Sequence, residues 1–354
     1  MKKDEHIDSS TKEFLEFCKN LGQGYSTLKE IGDISTGVTN REAIYKQDKV
    51  VLYRYRADPD KQPSGIPVLI VYALVNRPYV ADLQENRSTI QGLLNQGLDV
   101  YLIDWGYPDR SDRYLTLDDY INGYIDDCVT EICARLSVNS INLLGICQGG
   151  TFSLCYSAIH PQKVRNLITM VTPVDFHTDD NLLSRWVRHI DVDVMVDTLG
   201  NIPGEMLNWT FLSLKPYSLM GQKYIDMVDL LADKEHTKNF MRMEKWIFDS
   251  PDQVGEAFRE FVKDFFQRNS LVNGGVQIGD QFAQLSNITM PVLNIYASED
   301  HLVPPSASKP LGKHIGAKDY TEREFKGGHI GIYVSGRAQR EVPGFIGTWL
   351  SDRS

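Results

Sequence analysis

Paired cysteines are missing from this sequence. Its five cysteines form an odd set without a CxxC spacing: Cys18, Cys128, Cys133, Cys147 and Cys155. An odd, unpaired set argues against both a disulfide framework and a thiolate zinc site. We therefore expect reduced thiols and no metal. Cys128 and Cys133 lie on the apolar stripe of a predicted helix, and we expect both, like Cys155, to be buried core residues.

Long apolar runs and an excess of positive charge are also missing. No apolar run follows the basic start of MKKDEHIDSSTKEF, so a secretory signal is not supported. The longest uncharged stretch, 136–162, is broken by polar residues and a glycine cluster, unlike the ~20 mostly apolar residues of a spanning helix. With 37 Lys+Arg against 47 Asp+Glu, the net charge of −10 disfavours nucleic-acid binding. We expect a cytoplasmic protein without a transmembrane segment.

Apolar runs of strand length alternate with helix-period segments over the first half of the chain, which predicts an α/β fold with a mostly parallel sheet and flanking helices. The run PVLIVYAL is typical of a strand buried on both faces. In KVVLYRYR, apolar and polar residues alternate in part, as in a strand at the outside of a sheet. The other predicted strands are 99–104, 140–144, 166–171, 291–297 and 320–325, and the helices between them cover 88–96, 116–135 and 148–159.

A change in residue composition predicts the domain organisation. From about 176 to 282 the chain is rich in Trp, Met and Phe and has no buried-strand pattern. We interpret 176–282 as a helical cap inserted into a catalytic core of 1–175 and 283–354, with 1–45 as an N-terminal helical extension. Within the cap, Ser250 and Pro251 predict the start of a helix. Pro343 predicts the start of a closing helix.

The segment GICQGG carries the strongest chemical signal. Gly145-Ile146-Cys147-Gln148-Gly149 has the G-x-nucleophile-x-G form of an elbow between a strand and a helix, with Cys in place of Ser. The flanking glycines leave room for a strained nucleophile turn. The helix dipole favours a thiolate at Cys147, and the Gln148 backbone N–H can donate to an oxyanion.

An acid and a base follow in the chain order of the α/β-hydrolase fold. Asp300 lies just past PVLNIYA, and His329 lies just past YTEREF, so both are expected at the carboxyl edge of the sheet, where ligand sites collect. We predict the triad Cys147, Asp300 and His329. Glu299 and Asp175 are alternative acids. His301 is either a second active-site group or a polar loop residue.

The loop Leu74-Val75-Asn76-Arg77-Pro78 is expected to supply a second oxyanion donor. We assign this donor to the backbone N–H of Val75. Asn76 is the alternative, through its own backbone or by ordering the loop.

Several long segments resemble the polyhydroxyalkanoate synthases, specifically the class III catalytic subunits that require a second protein. The segments are YALVNRPYV, LDVYLIDWGYPD, LTLDDYINGYIDDCV, NLLGICQGGTFSL, VTPVDF, GNIPGEMLNWTFLSLKP, MEKWIFDSPDQ, EDHLVPP and GGHIGIYVSG. The resemblance implies a Cys–His–Asp triad at Cys147, His329 and Asp300. It also implies polymerisation of (R)-3-hydroxybutyryl-CoA and similar short 3-hydroxyacyl-CoA thioesters into polyester, through an acyl-cysteine intermediate.

The resemblance further implies the partners. They are a growing polyester chain or storage-granule surface, self-association, and a second synthase subunit of the PhaE type, with the class IV PhaR type as the alternative. No cofactor is expected, because CoA arrives with the substrate and leaves as a product. A cysteine-dependent α/β-hydrolase thioesterase is the alternative function, since the same triad can pass an acyl group to water. An inactive granule scaffold is the non-enzyme alternative.

Overall fold

A central sheet organises the chain in this computed structural model, which describes residues 34–56, 67–231 and 233–353. We number its strands β1 to β8 in chain order: Arg41–Gln47, Val50–Tyr55, Pro67–Val71, Asp99–Asp104, Ile141–Ile146, Val164–Met170, Val292–Ala297 and Tyr320–Phe325. Their spatial order is β1-β2-β4-β3-β5-β6-β7-β8. Strands β3 to β8 pair in parallel, whereas β2 runs antiparallel to β1 and β4. This confirms the predicted mostly parallel sheet.

Helices make up much of the rest of the described chain. Among the described residues, the α-helices α1 to α13 are Thr89–Asn95, Asp126–Leu136, Gln148–Ile159, Leu182–Val187, Val192–Leu199, Gly204–Ser213, Lys223–Leu230, Lys234–Phe248, Gly255–Phe261, Pro305–Ser308, Leu311–His314, Gly331–Val334 and Gly336–Ser351. Segments Asp119–Ile125, Tyr217–Gln222 and Val262–Gln267 are wider π-helical turns. Short 3-10 turns occupy Pro78–Ala81, Arg110–Tyr114, Pro161–Lys163 and Leu285–Asn287. Short antiparallel strand pairs join Asp82–Gln84 to Arg87–Ser88 and Val276–Ile278 to Gln281–Ala283.

Burial follows the apolar pattern of the sequence. Every residue of β3, β4, β5 and β7 is buried. The continuous apolar run PVLIVYAL predicted this burial for β3. Helix α3 is buried along most of its length and packs against β5 and β6. The strands that lead to the candidate site therefore belong to the core, which fixes the positions of the turns that follow them.

The predicted N-terminal helical extension is wrong at its C-terminal end. Residues 41–45 belong to strand β1, which covers the outer edge of β2. Most of β1 is polar and exposed, so its sequence lacks the apolar alternation of a strand, and its backbone pairing with β2 determines its conformation. The remainder of the proposed extension, up to residue 33, lies outside the described residues.

Two predicted helix starts are also wrong. Helix α9 begins at Gly255, because Gln253 forms two backbone hydrogen bonds of 2.8 Å with Ile202 and is held in an extended bridge. Helix α13 begins at Gly336 and contains Pro343 in its interior. Ser335 caps that helix by accepting a hydrogen bond from the Ala338 N–H, a signal upstream of the proline.

The chain divides into two compact units. Among the described residues, one comprises Asn208–Asp249 with 34–36, and the other comprises Gly37–Leu207 with 250–353. The second unit contains the whole sheet and every residue of the candidate site discussed below. The boundaries of the predicted cap at 176 and 282 stay a prediction.

Candidate active site

Cys147 occupies the turn between β5 and α3. Its backbone has φ +54° and ψ −124°, a conformation rare for a residue with a side chain. The Cys147 N–H donates to the Met170 carbonyl at 2.9 Å, and the Cys147 carbonyl accepts from the Gly150 N–H at 2.9 Å. These bonds hold the strained turn between β6 and the first turn of α3. The thiol side chain is partly exposed.

The glycines around Cys147 are required by close packing. A Cβ atom at Gly145 would lie 2.5 Å from the Gly150 Cα, and one at Gly149 would lie 2.2 Å from the Val71 carbonyl oxygen. Gly150 is equally confined, since its Cβ would overlap the Thr172 side chain. The sequence analysis recognised the first two glycines but not the third, whose contact residue comes from the turn after β6.

Asp300 and His329 meet at the carboxyl edge of the sheet. His329 Nδ1 lies 2.7 Å from Asp300 Oδ2, and both residues are about 5% exposed. Asp300 Oδ1 accepts hydrogen bonds from the backbone N–H groups of Leu302 and Val303 at 2.8 and 2.9 Å. Both carboxylate oxygens therefore have partners, so Asp300 is suited to orient the imidazole. Cys147 is also an electrostatic neighbour of His329, so the three predicted residues lie together.

The surroundings of His329 favour its protonated form. Burial disfavours the imidazolium, but the charges of Asp300 and Cys147 and the hydrogen bonds to both outweigh burial and raise the pKa of His329 well above 6.5. Such an environment stabilises a positive charge beside the thiol. It is suited to an imidazole that takes a proton from a nucleophile during a reaction.

The alternative acids do not contact His329 in this arrangement. The Asp175 carboxylate accepts hydrogen bonds from the His177 N–H at 2.9 Å and from Asn269 Nδ2 at 2.8 Å. The Glu299 side chain is exposed on the loop after β7. His301 follows Asp300 on that loop and is half-buried. Its role as active-site support stays a prediction.

Side-chain hydrogen bonds anchor the predicted oxyanion loop at Leu74. The Leu74 N–H donates to Gln148 Oε1 at 3.0 Å, and the Leu74 carbonyl accepts from Gln253 Nε2 at 3.0 Å. Gln148 thus ties the loop after β3 to the first turn of α3. The backbone N–H groups of Val75 and Gln148, assigned as oxyanion donors, belong to these two connected segments. Their catalytic role stays a prediction.

Asn76 and Arg77 fix the rest of the loop. Asn76 adopts a left-handed conformation with φ +58°, and its Nδ2 donates to Ser250 Oγ at 2.5 Å. Arg77 forms an ion pair of 2.7 Å with Asp104. These contacts agree with the alternative in which Asn76 orders the loop. The contact of Gln253 with this loop was not predicted, because its sequence position indicated the start of a helix.

A pair of tyrosines beside the site was also missed. Tyr72 follows β3, and Tyr333 lies four residues after His329, a spacing of one helical turn that could have indicated it. The Tyr333 ring packs edge-on against the rings of both Tyr72 and His329, with centroids 6.5 Å apart in each pair. Both tyrosines are buried.

The other described cysteines lack such surroundings. Cys128 and Cys155 are buried as predicted, and burial raises the pKa of Cys155 to about 12. Cys133 is only half-buried, which corrects the prediction of full burial, because it lies at the margin of the apolar stripe of α2. Cys18 lies outside the described residues.

The fold and the elbow define the class of protein. Residues 66–335 match the family model of the α/β hydrolase fold. Solved structures share this fold, including a thioesterase domain from the curacin biosynthetic pathway (TM-score 0.51, 11% identity, 87% of this chain and 99% of that chain covered). A metagenome-derived lipolytic enzyme structure has a TM-score of 0.50 at 13% identity, with 80% and 94% covered. The chain is an α/β-hydrolase-fold protein.

Curated relatives narrow the class. The chain is 63% identical over 349 residues to the poly(3-hydroxyalkanoate) polymerase subunit PhaC of Allochromatium vinosum, with 98% of each chain covered. It is 52% identical to the subunit of the same name from Synechocystis, with 98% of this chain and 94% of that one covered. This chain therefore belongs to the family of poly(3-hydroxyalkanoate) polymerase subunits.

Proposed function

We propose that this chain polymerises (R)-3-hydroxybutyryl-CoA and similar short 3-hydroxyacyl-CoA thioesters into polyester, with release of CoA. The observation that carries the proposal is the contact of Cys147 with an Asp300-bound His329, in a chain that matches polymerase subunits over nearly its whole length. Relatives supply the substrate class. The geometry of the site supports the chemistry.

The first step transfers the acyl group to the enzyme. Cys147 reacts as the thiolate, with its proton held on His329, and the thiolate sulfur attacks the thioester carbonyl carbon. The backbone N–H groups of Gln148 and Val75 stabilise the resulting oxyanion. The bond from carbon to the CoA sulfur then breaks, and His329 returns the proton to the departing thiolate. The products are acyl-Cys147 and CoA, so no additional cofactor is needed.

The second step extends the polyester. The hydroxyl of another hydroxyacyl unit loses its proton to His329, and its oxygen attacks the acyl-Cys147 carbonyl carbon. An ester bond forms, the bond to the Cys147 sulfur breaks, and the proton passes from His329 to that sulfur. We assign the base role to His329 because both oxygens of the Asp300 carboxylate are held by other donors.

The word "subunit" in the names of the relatives supports a second protein in the active assembly. We propose a partner of the PhaE type, with the PhaR type as the alternative, and a growing polyester or granule surface as the other contact in the cytoplasm. In the described part of the chain, no helix is long and apolar enough to cross a membrane.

Product analysis tests the proposed reaction. The purified chain is incubated with 3-hydroxybutyryl-CoA, with and without the co-expressed partner, while free CoA, insoluble polyester and free 3-hydroxybutyrate are measured. We expect polyester in step with CoA, formed much faster with the partner. Stoichiometric free acid without polymer would instead indicate a thioesterase. CoA release at the background rate would support the inactive scaffold.

Variants test the residue roles. Cys147→Ala should abolish CoA release and acyl labelling, whereas Cys133→Ala, which removes a half-buried thiol elsewhere, should retain both. His329→Gln should block acylation. Asp300→Asn should impair elongation more than acylation, because an alcohol is a much weaker acid than a thiol and needs the stronger base. Equal loss in both steps would count against this division of roles.

A further inference from the structure

The Tyr333 hydroxyl is a buried polar group whose contact with the neighbouring Tyr72 is too long or too poorly aligned for a normal hydrogen bond. Tyr333 is 1% exposed, and its hydroxyl makes no well-aligned hydrogen bond to any residue that the structure describes. A buried hydroxyl without a hydrogen bond is energetically unfavourable, so such groups are rare in folded proteins. The rest of the residue is well anchored: its backbone carbonyl accepts from Gln339 Nε2 at 2.7 Å and from Thr89 Oγ1 at 3.2 Å.

This hydroxyl belongs to the immediate surroundings of the nucleophile. The Tyr333 ring contacts the His329 ring edge-on, at an interplanar angle of 80°. On another side it contacts Tyr72 at 84°, and Tyr72 is 4% exposed. The Tyr72 carbonyl packs directly against Gly149 in the first turn of α3, where an added Cβ would lie 2.6 Å from the carbonyl oxygen. The two phenols therefore lie beside the imidazole and within electrostatic reach of Cys147.

The phenols stay neutral at physiological pH. Burial raises the pKa of Tyr333 well above 10, and the nearby Tyr72 and Cys147 raise it further. Burial together with Cys147 likewise raises the pKa of Tyr72. A neutral phenol both donates and accepts hydrogen bonds, so it fits an uncharged hydroxyl.

The proposed substrate carries such a hydroxyl. Its thioester oxygen is assigned to the backbone N–H groups of Val75 and Gln148, which leaves the 3-hydroxyl, two carbons beyond the carbonyl carbon, as the other polar group of the acyl chain. We infer that the Tyr333 hydroxyl, flanked by Tyr72, binds this 3-hydroxyl and makes Tyr333 a specificity-determining residue for hydroxylated acyl thioesters. The inference rests on the proposed function for the identity of the substrate.

Two substrates that differ only in the 3-hydroxyl test this contact. Single-turnover CoA release is followed with 3-hydroxybutyryl-CoA and with butyryl-CoA, which lacks the hydroxyl, in the wild type and in Tyr333→Phe. We expect the wild type to react faster with the hydroxylated thioester. Butyryl-CoA would leave the buried Tyr333 hydroxyl without a hydrogen-bond partner from the substrate. Tyr333→Phe should lower the rate ratio at least about tenfold, through slower reaction of the hydroxylated thioester alone.

Tyr101→Phe is the matched control. Tyr101 is also buried, but its hydroxyl donates to Asp99 Oδ2 at 2.7 Å, and it lies on β4. This variant should keep the wild-type rate ratio and lose thermal stability. Tyr333→Phe should keep or gain stability, because it removes a buried hydroxyl that makes no well-aligned hydrogen bond.

Any of four results would overturn the inference. Two of them are an equally fast reaction of the wild type with both thioesters and an unchanged rate ratio in Tyr333→Phe. The other two are an equal slowing of both thioesters in Tyr333→Phe and a loss of thermal stability in this variant as large as that of Tyr101→Phe. An equal loss would show that Tyr333 only positions His329. Failure of the proposed function is a separate result, since the wild type would then yield free acid rather than polyester while the acylation ratio could still be measured.

Discussion

At Cys147, the reactive residue is held by its neighbours rather than by its own conformational preference. A non-glycine residue in such a backbone region costs about 1–3 kcal/mol, and the hydrogen bonds to Met170 and Gly150 hold it there. His329 is held in the same way, by Asp300 on one nitrogen, while Asp300 is held by two backbone N–H groups. Each functional side chain therefore has its orientation set by a residue from another part of the chain.

The raised pKa of His329 predicts a pH dependence of stability. Because the folded-state pKa lies above the ordinary value of 6.5, the folded chain holds this proton more tightly than the unfolded chain. The stabilisation is fully present below pH 6.5 and is lost as the pH rises through the folded-state pKa. We expect the free energy of unfolding to fall over that window, by at most about 1.4 kcal/mol per pH unit.

Urea unfolding of the wild type and of His329→Gln between about pH 6 and pH 9 measures this effect. The wild-type stability should decline with pH relative to the variant, which has no proton to lose at this position. Parallel pH profiles would show that His329 binds its proton equally in both states. The comparison cancels other titrating groups that the two proteins share.

At the scale of elements, the approach of α3 to β3 depends on glycine. Gly149 allows the first turn of α3 to touch the Val71 and Tyr72 backbone, and this contact connects the elbow to the start of the oxyanion loop. The Leu74 bonds to Gln148 and Gln253 continue the same connection. Helix α3 and the loop after β3 are therefore joined by backbone contacts and hydrogen bonds at the site.

Gly149→Ala should disrupt the contact between α3 and the backbone of Val71 and Tyr72. The added methyl would meet backbone atoms at 2.2 Å, which cannot move as a flexible side chain can, so we expect a loss of about 1–3 kcal/mol and slower acylation. Gly344→Ala is the control, since its Cβ meets no atom within 4 Å in α13, and it should stabilise by up to about 1 kcal/mol. Thermal unfolding and single-turnover CoA release check both variants. Equal stability of the two variants would contradict the close contact.

Gln148→Met should slow acylation without removing the backbone N–H of residue 148. Loss of the 3.0 Å bond frees the Leu74 N–H and loosens the loop that carries Val75. Because small displacements of catalytic groups are costly, we expect a loss of about tenfold to hundredfold in the acylation rate. Gln277→Met, at the exposed middle residue of the hairpin strand Val276–Ile278, should leave the rate unchanged. An unaltered rate in Gln148→Met would show that the loop holds its geometry without this bond.

At the scale of the whole molecule, the chain carries a net charge of −10. Coenzyme A thioesters are also anionic, so the overall field opposes their approach, although basic side chains near the site can offset it locally. Salt screens such repulsion over distances beyond about 10 Å at 0.1 M.

We expect the KM for 3-hydroxybutyryl-CoA to fall by about twofold as ionic strength rises from 0.02 to 0.2 M, because the repulsion is screened. Steady-state CoA release checks this, with kcat as the internal control that should change little. A KM that rises with salt would instead point to a local cluster of basic residues that binds the CoA phosphates.

Local patterns predicted much of this molecule. The apolar run of β3, the strand-to-helix junction at GICQGG and the strand-end positions of Asp300 and His329 are properties of short segments, readable from periodicity and spacing. They indicated the fold class and the three residues that the structure brings together. Strand β1 was missed because its polar sequence has no such pattern, and the starts of α9 and α13 were missed because proline was weighted above other caps.

The parallel sheet, the elbow and the family could be predicted from the amino-acid order, because each depends on short segments along the chain. The acid that contacts His329, the side chains that hold Leu74 and the ring beside Tyr333 could be identified only in the folded chain. These contacts join positions that are 29 residues apart for 300 and 329 and 261 residues apart for 72 and 333. Strand order and side-chain packing bring them together, and no local periodicity encodes either one.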